Sequence, residues 1–543
     1  MRKNIITKTL AVAMGLSFVA STFSTMAAVV PEGVKLAVKQ ELVRGNGSEV
    51  ASLDPHKTDG MPEARVMLDL FEGLVNQDAE GNIIPGVAET WENIDNKVFT
   101  FHLRKDAKWS NGDPVTAQDF VYSLQRVVDP ATASPYSWYV ELTAIVNAKD
   151  IIDGKKDKSA LGVKAIDDHT LQINLTSAVP YFVMMMCSPA VSPVHRATVE
   201  KYGDQWTKPE HFVGNGAFVV NNWVVNERIE LTPNKNYWDN AHTVLTKVTF
   251  LPIENQVAEM NRFFSGEIDM TDGIPDEHYK RLVKEHPESL KSRGSLSTYY
   301  YSFNTNKPPF NDVRVRQAIS YAIDRDIITK VILGQGQKSA YSLTPDIVAG
   351  FELKLPAYAK MTQKERNAKA IELLSQAGFD KSHPLKFSLL YNTSESHKKL
   401  AVAIASMWKK TLGVNVTLEN QEWKSYLEAK KEGHFDVARA GWGGGYNEPS
   451  AFTNLMEGSN SAAGIHYQSA DYDKLVKQAI AATSTKERTE IYDKEEALLA
   501  IDMPIAPIYQ YVNIRLVNPL IGGYPEHNAQ DKVYSKDIYI VAK

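Results

Sequence analysis

Leu385-Lys386-Phe387-Ser388-Leu389-Leu390-Tyr391, the run from about His397 to Leu412, and Val414-Asn415-Val416-Thr417-Leu418 read in that order as strand, helix and strand. The outer runs are short and apolar with aromatic or β-branched residues, and the middle run is long enough for a helix. Strand, helix, strand within this span is a βαβ unit, the crossover that two parallel strands require. The second half of the chain is therefore expected to contain a parallel sheet. The fold class is α/β, with more than one domain.

Downstream, a helix is expected near Trp423–Lys431, followed by Phe435-Asp436-Val437-Ala438-Arg439-Ala440-Gly441-Trp442-Gly443-Gly444-Gly445-Tyr446-Asn447-Glu448-Pro449. This stretch begins as a buried strand and ends as bare glycine backbone, against which another backbone could lie. Arg439 is a fixed cation within it and Trp442 an amphipathic plate at its end. The residues alone leave two readings open: a recognition edge, or a structural ion pair followed by a flexible loop. Two charged helices, near Tyr472–Ala482 and Lys486–Ile501, precede a last strand at Ile505–Tyr511.

Upstream, Asp312 opens a helix whose apolar residues Val315, Ala318, Ile319, Ala322, Ile323, Ile327, Val331 and Ile332 share one face. A second helix carries Ala370, Ile371, Leu374 and Ala377, with Gly378 as its C-cap. From Glu41 to Pro130 the pattern is mostly short strands and turns, with a strand at Val98–Leu103 and a helix capped by Thr116. Thr170–Leu175 and Val248–Leu251 read as further strands.

The beginning of the sequence indicates export. Met1-Arg2-Lys3 is basic, Leu10 to Phe23 is apolar or small, and Thr25-Met26-Ala27 suits a signal peptidase, giving expected cleavage after Ala27. No later run is long enough and charge-free to cross a membrane as a helix. There is no Cys near the cleavage point, so no acyl anchor is expected. The one cysteine, Cys187, allows no internal disulfide and reads as a buried core thiol, so burial must stabilise the protein. With 60 basic and 65 acidic residues and a net charge of −5, nothing resembles a nucleic-acid binder or a polybasic membrane surface.

A secreted hydrolase is the rival class. There is no G-x-S-x-G elbow, no H-E-x-x-H, no Cys/His cluster at zinc spacing and no G-x-x-x-x-G-K-[ST] loop. The glycines 443–445 could form an oxyanion loop, but no nucleophile is identifiable beside them. A binding protein without catalytic residue, metal or cofactor is the better expectation.

Four further runs carry a resemblance: Gly45-Asn46-Gly47-Ser48-Glu49-Val50-Ala51-Ser52-Leu53-Asp54-Pro55-His56-Lys57; Asp69-Leu70-Phe71-Glu72-Gly73-Leu74; Phe101-His102-Leu103-Arg104-Lys105-Asp106-Ala107-Lys108-Trp109-Ser110-Asn111-Gly112; and Pro308-Pro309-Phe310-Asn311-Asp312-Val313-Arg314-Val315-Arg316-Gln317-Ala318. With Phe435–Pro449, they resemble the periplasmic oligopeptide-binding proteins of solute-binding protein family 5, which serve ATP-driven (ABC) peptide importers; a murein-peptide-binding relative is also similar. The resemblance runs from Ala28 onward. It implies a type II periplasmic-binding-protein-like fold, with two lobes about a hinge and three domains. Residues 28–71, 196–296 and 512–543 would form a discontinuous lobe I domain, 72–195 an inserted domain, and 297–511 the lobe II domain. The partners it implies are an oligopeptide or peptide-like ligand and the importer's membrane permease subunits, with the binding protein a periplasmic monomer.

The resemblance further implies that the ligand lies extended, with its main chain paired to protein backbone and its side chains in hydrated pockets. Gly441 and Gly443 would supply that backbone. Asp59 lies where an acidic residue meets the ligand's ammonium end; Tyr136 and Trp423 line pockets, and Met61, Tyr300 and Trp442 belong to the same candidate set. Lys430 stands where the family usually has Arg, keeping the charge but losing the planar fork. Arg439 and His397 are candidate cations for ligand carboxylates. Each has a plainer reading: Tyr136 and Trp423 as packing residues, His397 as an N-cap neighbour, Arg439 as an internal partner.

At Gly445 the sequence departs from the family pattern, which places there an Asp that anchors the peptide's α-ammonium. Truncating one member of such a buried pair costs about 2–5 kcal/mol, about 30-fold in affinity at the lower figure. Asp59 or water could take over; the ligand could lack a free amine there, as an acylated or sugar-linked peptide would; or it could be bulkier. The alternative function is a binder of murein-derived or N-blocked peptides. Ser297 and Gly443 stand at positions that form a disulfide in some family members.

Overall fold

The structure, a computed structural model, describes residues 28–58, 60–349, 351–458, 467–482 and 484–543. The expected signal segment 1–27 and the candidate Asp59 lie outside the described residues.

Three larger sheets organise the chain. The first orders strands Glu41–Gly45, Lys247–Leu251, Arg228–Pro233 and Phe218–Val224 over a core that includes Leu42, Trp206, Leu231, Val248 and Phe250. The second is an antiparallel sheet of Ala88–Ile94, Val98–Leu103, Thr170–Asn174 and Val163–Asp167. Helix Ala117–Val128 packs on it and starts, as expected, at a Thr116–Asp119 capping box.

The third sheet has six strands in the order Lys338–Ser339, Ile505–Leu516, Leu290–Phe303, Val437–Gly443, Lys386–Asn392 and Asn415–Gln421. Its last pair is the βαβ unit: Lys386–Asn392 runs parallel to Asn415–Gln421, joined by helix Glu395–Leu412. Ser394 caps that helix by accepting from the His397 N–H, and Gly413, at φ +72°, ends it where a side chain would be strained. Leu400, Ile404 and Trp408 on its buried face pack with Phe387 and Leu389 of the sheet.

Three local expectations are corrected. The helix expected to run from Asp312 past Ile327 ends at Tyr321 and restarts at Arg325. Asp324 forms a new cap by accepting from the Ile327 N–H, while the buried Arg325 turns inward onto the carbonyls of Ser320, Ala340 and Pro507. Helix Met61–Leu70 occupies a region read as strands and turns, and its Val66, Met67 and Leu70 are buried. The last strand continues beyond Tyr511 to Leu516, because residues 512–516 find partners in 290–294.

Leu290–Phe303 and Ile505–Leu516 are the two long strands that leave the six-stranded sheet towards the first. At that end Ile514 and Leu516 pack with Met260, Ile274 and Leu282, and the Leu516 N–H donates to the Thr271 hydroxyl. The pairing is irregular midway: between Gly294–Val512 and Thr298–Gln510, Ser295, Leu296 and Ser297 stand opposite Tyr511 alone. This is a bulge in an antiparallel ladder.

Candidate functional site

The strand Val437–Gly443 is paired along its full length on one side only. Opposite Leu290–Phe303 the register runs from Phe303↔Val437 to Ser297↔Gly443. On the other side, pairing with Lys386–Asn392 covers only Val437 and Ala438. Backbone groups of alternate residues point to opposite sides of a strand, so the direction of each can be read from its ends. The Asp436 carbonyl accepts from the Asn304 N–H, and the Gly444 N–H donates to the Leu296 carbonyl. Even-numbered residues therefore address Leu290–Phe303, and residues 439, 441 and 443 address the open side. The Tyr426 hydroxyl, from helix Trp423–Lys431, donates to the Arg439 carbonyl. Gly441 and Gly443 are exposed, and among the described residues no strand pairs with their outward N–H and C=O groups, which are placed to meet an incoming strand.

The open edge lies at the carboxyl ends of the parallel strands, where open α/β sheets ordinarily take their ligands. One face beside it is polar and aromatic. Arg439 donates to the Asn392 side chain at 3.2 Å and to the Tyr511 hydroxyl at 2.7 Å, and its guanidinium lies 5.0 Å from the centre of the Tyr299 ring. Burial works against its charge, but the phenol oxygens of Tyr511, Tyr299 and Tyr426 raise its pKa above the ordinary value, so it stays ionised. Among the described residues no carboxylate pairs with it, and its Nε has no partner.

His397 faces the same cluster, its ring 5.7 Å from that of Tyr299 and its Nδ1 without a partner among the described residues. Burial first, and then the Arg439 charge, hold its pKa well below the ordinary value. The expectation of a second cation at His397 is corrected: beside Arg439 the imidazole is neutral. Trp423 stacks on Tyr426 at 5.7 Å, and its buried Nε1 has no partner among the described residues; a Cβ placed on Gly60, next to the exposed Met61, would be 3.3 Å from it. Lys430 lies over the Tyr426 ring at 5.8 Å. Tyr300 is a fully buried core residue opposite Ala440, with no surface to offer a ligand.

The other face is an aromatic wall shared with the second sheet's neighbourhood. Trp442 lies 5.7 Å from Trp138 and donates its ring N–H to the Ala451 carbonyl. Tyr136 stacks on Trp138 at 5.8 Å, and Tyr139 meets Tyr446 edge-on at 6.4 Å.

The glycines have distinct reasons to be glycine. A Cβ on Gly441 would lie 2.9 Å from the Tyr511 hydroxyl, and one on Gly444 2.8 Å from the Phe452 ring. On Gly445 a Cβ would meet only Tyr139, at 3.7 Å, which is ordinary contact. No clash therefore keeps a Cβ from position 445.

Sequence reading missed Tyr426, Tyr511, Asn392, Trp138 and Tyr139. Trp138 and Tyr139 stand beside the singled-out Tyr136 in an aromatic run and carried a local signal. Tyr426, Tyr511 and Asn392 gain their roles only through tertiary placement.

An open strand edge thus lies between an aromatic wall and a guanidinium that has no carboxylate partner among the described residues. The architecture is that of the type II periplasmic-binding-protein-like fold. The chain matches the model of the bacterial extracellular solute-binding proteins, family 5 Middle, over residues 82–464, and it belongs to that family. It is 52% identical to the periplasmic oligopeptide-binding protein OppA of Salmonella typhimurium, with 99% of each chain covered. The structure of the murein tripeptide-binding protein MppA of Escherichia coli matches with a TM-score of 0.92 at 50% identity, covering 94% of this chain and 100% of that one. A Haemophilus influenzae OppA complex with RPPGFSPFR matches with a TM-score of 0.92 at 46% identity and the same coverage. Against the unliganded open form of MppA the TM-score is 0.68, with 94% and 99% covered, so the lobes here are disposed differently from that form.

Proposed function

We propose that this protein captures oligopeptides or peptide-like ligands in the periplasm and delivers them to the permease subunits of an ABC importer. The carrying observation is the free backbone edge at Gly441 and Gly443. A ligand strand added there gains main-chain hydrogen bonds whatever its sequence. Its side chains would alternate between the Arg439–Tyr511 face and the Trp138–Trp442 face. Arg439 would receive a ligand carboxylate, since it is ionised and has no acidic partner among the described residues. The named relatives are binding proteins, which supports a role for this chain in binding without catalysis. We further propose cleavage after Ala27 without lipid attachment, a monomer, and the domain boundaries 28–71 with 196–296 and 512–543, 72–195, and 297–511.

Calorimetry of unliganded protein with tripeptides and with versions N-methylated at single main-chain nitrogens tests strand addition. Methylation at an inward-facing nitrogen should weaken binding at least about tenfold, roughly 1.4 kcal/mol. Unchanged affinity at every position rules the reading out.

A second reading is favoured by Gly445, where a Cβ would meet only ordinary contact and the carboxylate that the resemblance implies is absent. On it, the ligand carries no free ammonium at that end. Comparing free and N-acetylated peptides decides the matter: loss of binding on acetylation excludes the second reading.

A further inference from the structure

We infer that Tyr511 is a positioning residue that links the ligand-facing guanidinium of Arg439 to the pivot between the lobes. The inference rests on the reading that a ligand carboxylate meets Arg439. Tyr511 belongs to two structures at once. Its hydroxyl accepts from Arg439 Nη2 at 2.7 Å, and its ring packs against Tyr299 and Tyr509, with centroids 5.8 and 5.0 Å away. Its backbone is the single residue opposite the three-residue bulge Ser295–Ser297.

That bulge is where the two long strands can pivot. Bulges bend a strand and interrupt its ladder, so resistance to bending is least there. On one side of it the ladder is pinned: Asp531 binds both Arg293 and Arg515, from the two strands. On the other side the strands are fixed in the six-stranded sheet by the pairs Thr298–Gln510 and Tyr299–Tyr509. Within the bulge, Leu296 donates its N–H to the Ala529 carbonyl and accepts from Gly444. The pivot is thus bonded to the C-terminal segment, to the end of the binding edge and, through Tyr511, to the anion-facing cation.

A carboxylate arriving at Arg439 competes for the guanidinium donors and fixes their orientation. Tyr511 follows because its hydroxyl is bonded to that guanidinium at 2.7 Å, and Gly441, where a Cβ would lie 2.9 Å from the same oxygen, leaves the hydroxyl room to move with it. Lobe closure should therefore be most complete for ligands with a carboxylate at this position, and the Tyr511 hydroxyl should be required for that difference.

The test uses mature wild-type protein, Tyr511→Phe and Tyr509→Phe, each checked for an unchanged melting profile. Binding of a tripeptide acid and its amide is measured by calorimetry, and closure by small-angle X-ray scattering at saturation. Wild type should bind the acid more tightly and close more fully on it. Tyr511→Phe should lose at least about tenfold for the acid and less than about twofold for the amide, and retain a larger radius of gyration with acid bound. Tyr509→Phe should behave as wild type. If the wild type discriminates and Tyr511→Phe closes on the acid equally well, the coupling is wrong and the carboxylate reading stands. If the wild type binds acid and amide alike, both fall.

Discussion

The Gly444 N–H donates to the Leu296 carbonyl at 2.9 Å, so the glycine loop that ends the binding edge is bonded directly to the bulge between the long strands. That contact exists because Gly444 has no side chain. A Cβ there would press on the Phe452 ring at 2.8 Å and on Leu296 at 3.1 Å, both buried. Gly444→Ala is expected to cost about 1–3 kcal/mol through overpacking. Urea denaturation measures it, and a change within 0.5 kcal/mol would show that Phe452 can yield.

Gly445→Asp addresses the missing anchor. The Cβ fits at 3.7 Å from Tyr139, so folding should be little affected. If peptides lie with their amino end there, free-amine peptides should tighten by about 30-fold, the lower figure for a buried charge pair. N-acetylated peptides should not gain. Titration calorimetry on both series reads the difference.

Arg439→Gln removes the guanidinium from a cluster otherwise made of phenols, an amide and a neutral imidazole. Peptides with a free carboxylate should lose at least about tenfold in affinity, and amidated peptides much less. Equal losses would leave Arg439 with a structural role only.

Asp531 is held low by two cations. Burial alone would raise its pKa, but the Arg515 and Arg293 guanidiniums outweigh burial and bring it to about 2 from an ordinary 3.8. Its ionised form thus contributes stability that is fully present above pH 3.8 and lost as pH falls through about 2. Asp531→Asn should cost about 3–5 kcal/mol at pH 7, since it leaves buried cations unmatched. The gap between variant and wild type should narrow below pH 4, as denaturation midpoints across pH would record.

Glu495 behaves oppositely. Its carboxylate is buried, and burial, with Glu496 and Glu448 nearby, outweighs the hydroxyl of Thr453 and pushes its pKa from 4.5 to about 8. Below pH 4.5 the folded and unfolded forms are both protonated and nothing is lost. From 4.5 to 8 the unfolded chain releases a proton that the folded protein retains, so folding becomes less favourable as pH rises. Glu495→Gln removes this term, and its stability relative to wild type should grow between pH 5 and 8.

The βαβ unit was legible because a long periodic helix between two short apolar runs admits few other arrangements; helix Trp423–Lys431 was likewise placed from its pattern. The break at Asp324 was not, since apolar spacing continued across it while the inward turn of Arg325 depended on distant carbonyls. At the site, Gly441 and Gly443 could be read as bare backbone, but their open side could not. That depends on Lys386–Asn392 ceasing to pair after Ala438. The charge of His397 was misread for a similar reason: its burial and its nearness to Arg439 arise from packing, and neither is written near residue 397.

An unpaired strand edge is also a hazard, because unsatisfied N–H and C=O groups recruit any extended chain, including segments of other copies. Here the vulnerable portion is short, from Arg439 to Gly443, and enclosed by Tyr426 on one side and the Trp138–Trp442 wall on the other. Occupancy therefore protects as well as serves. Protein stripped of ligand should self-associate more readily at high concentration than protein with its edge filled.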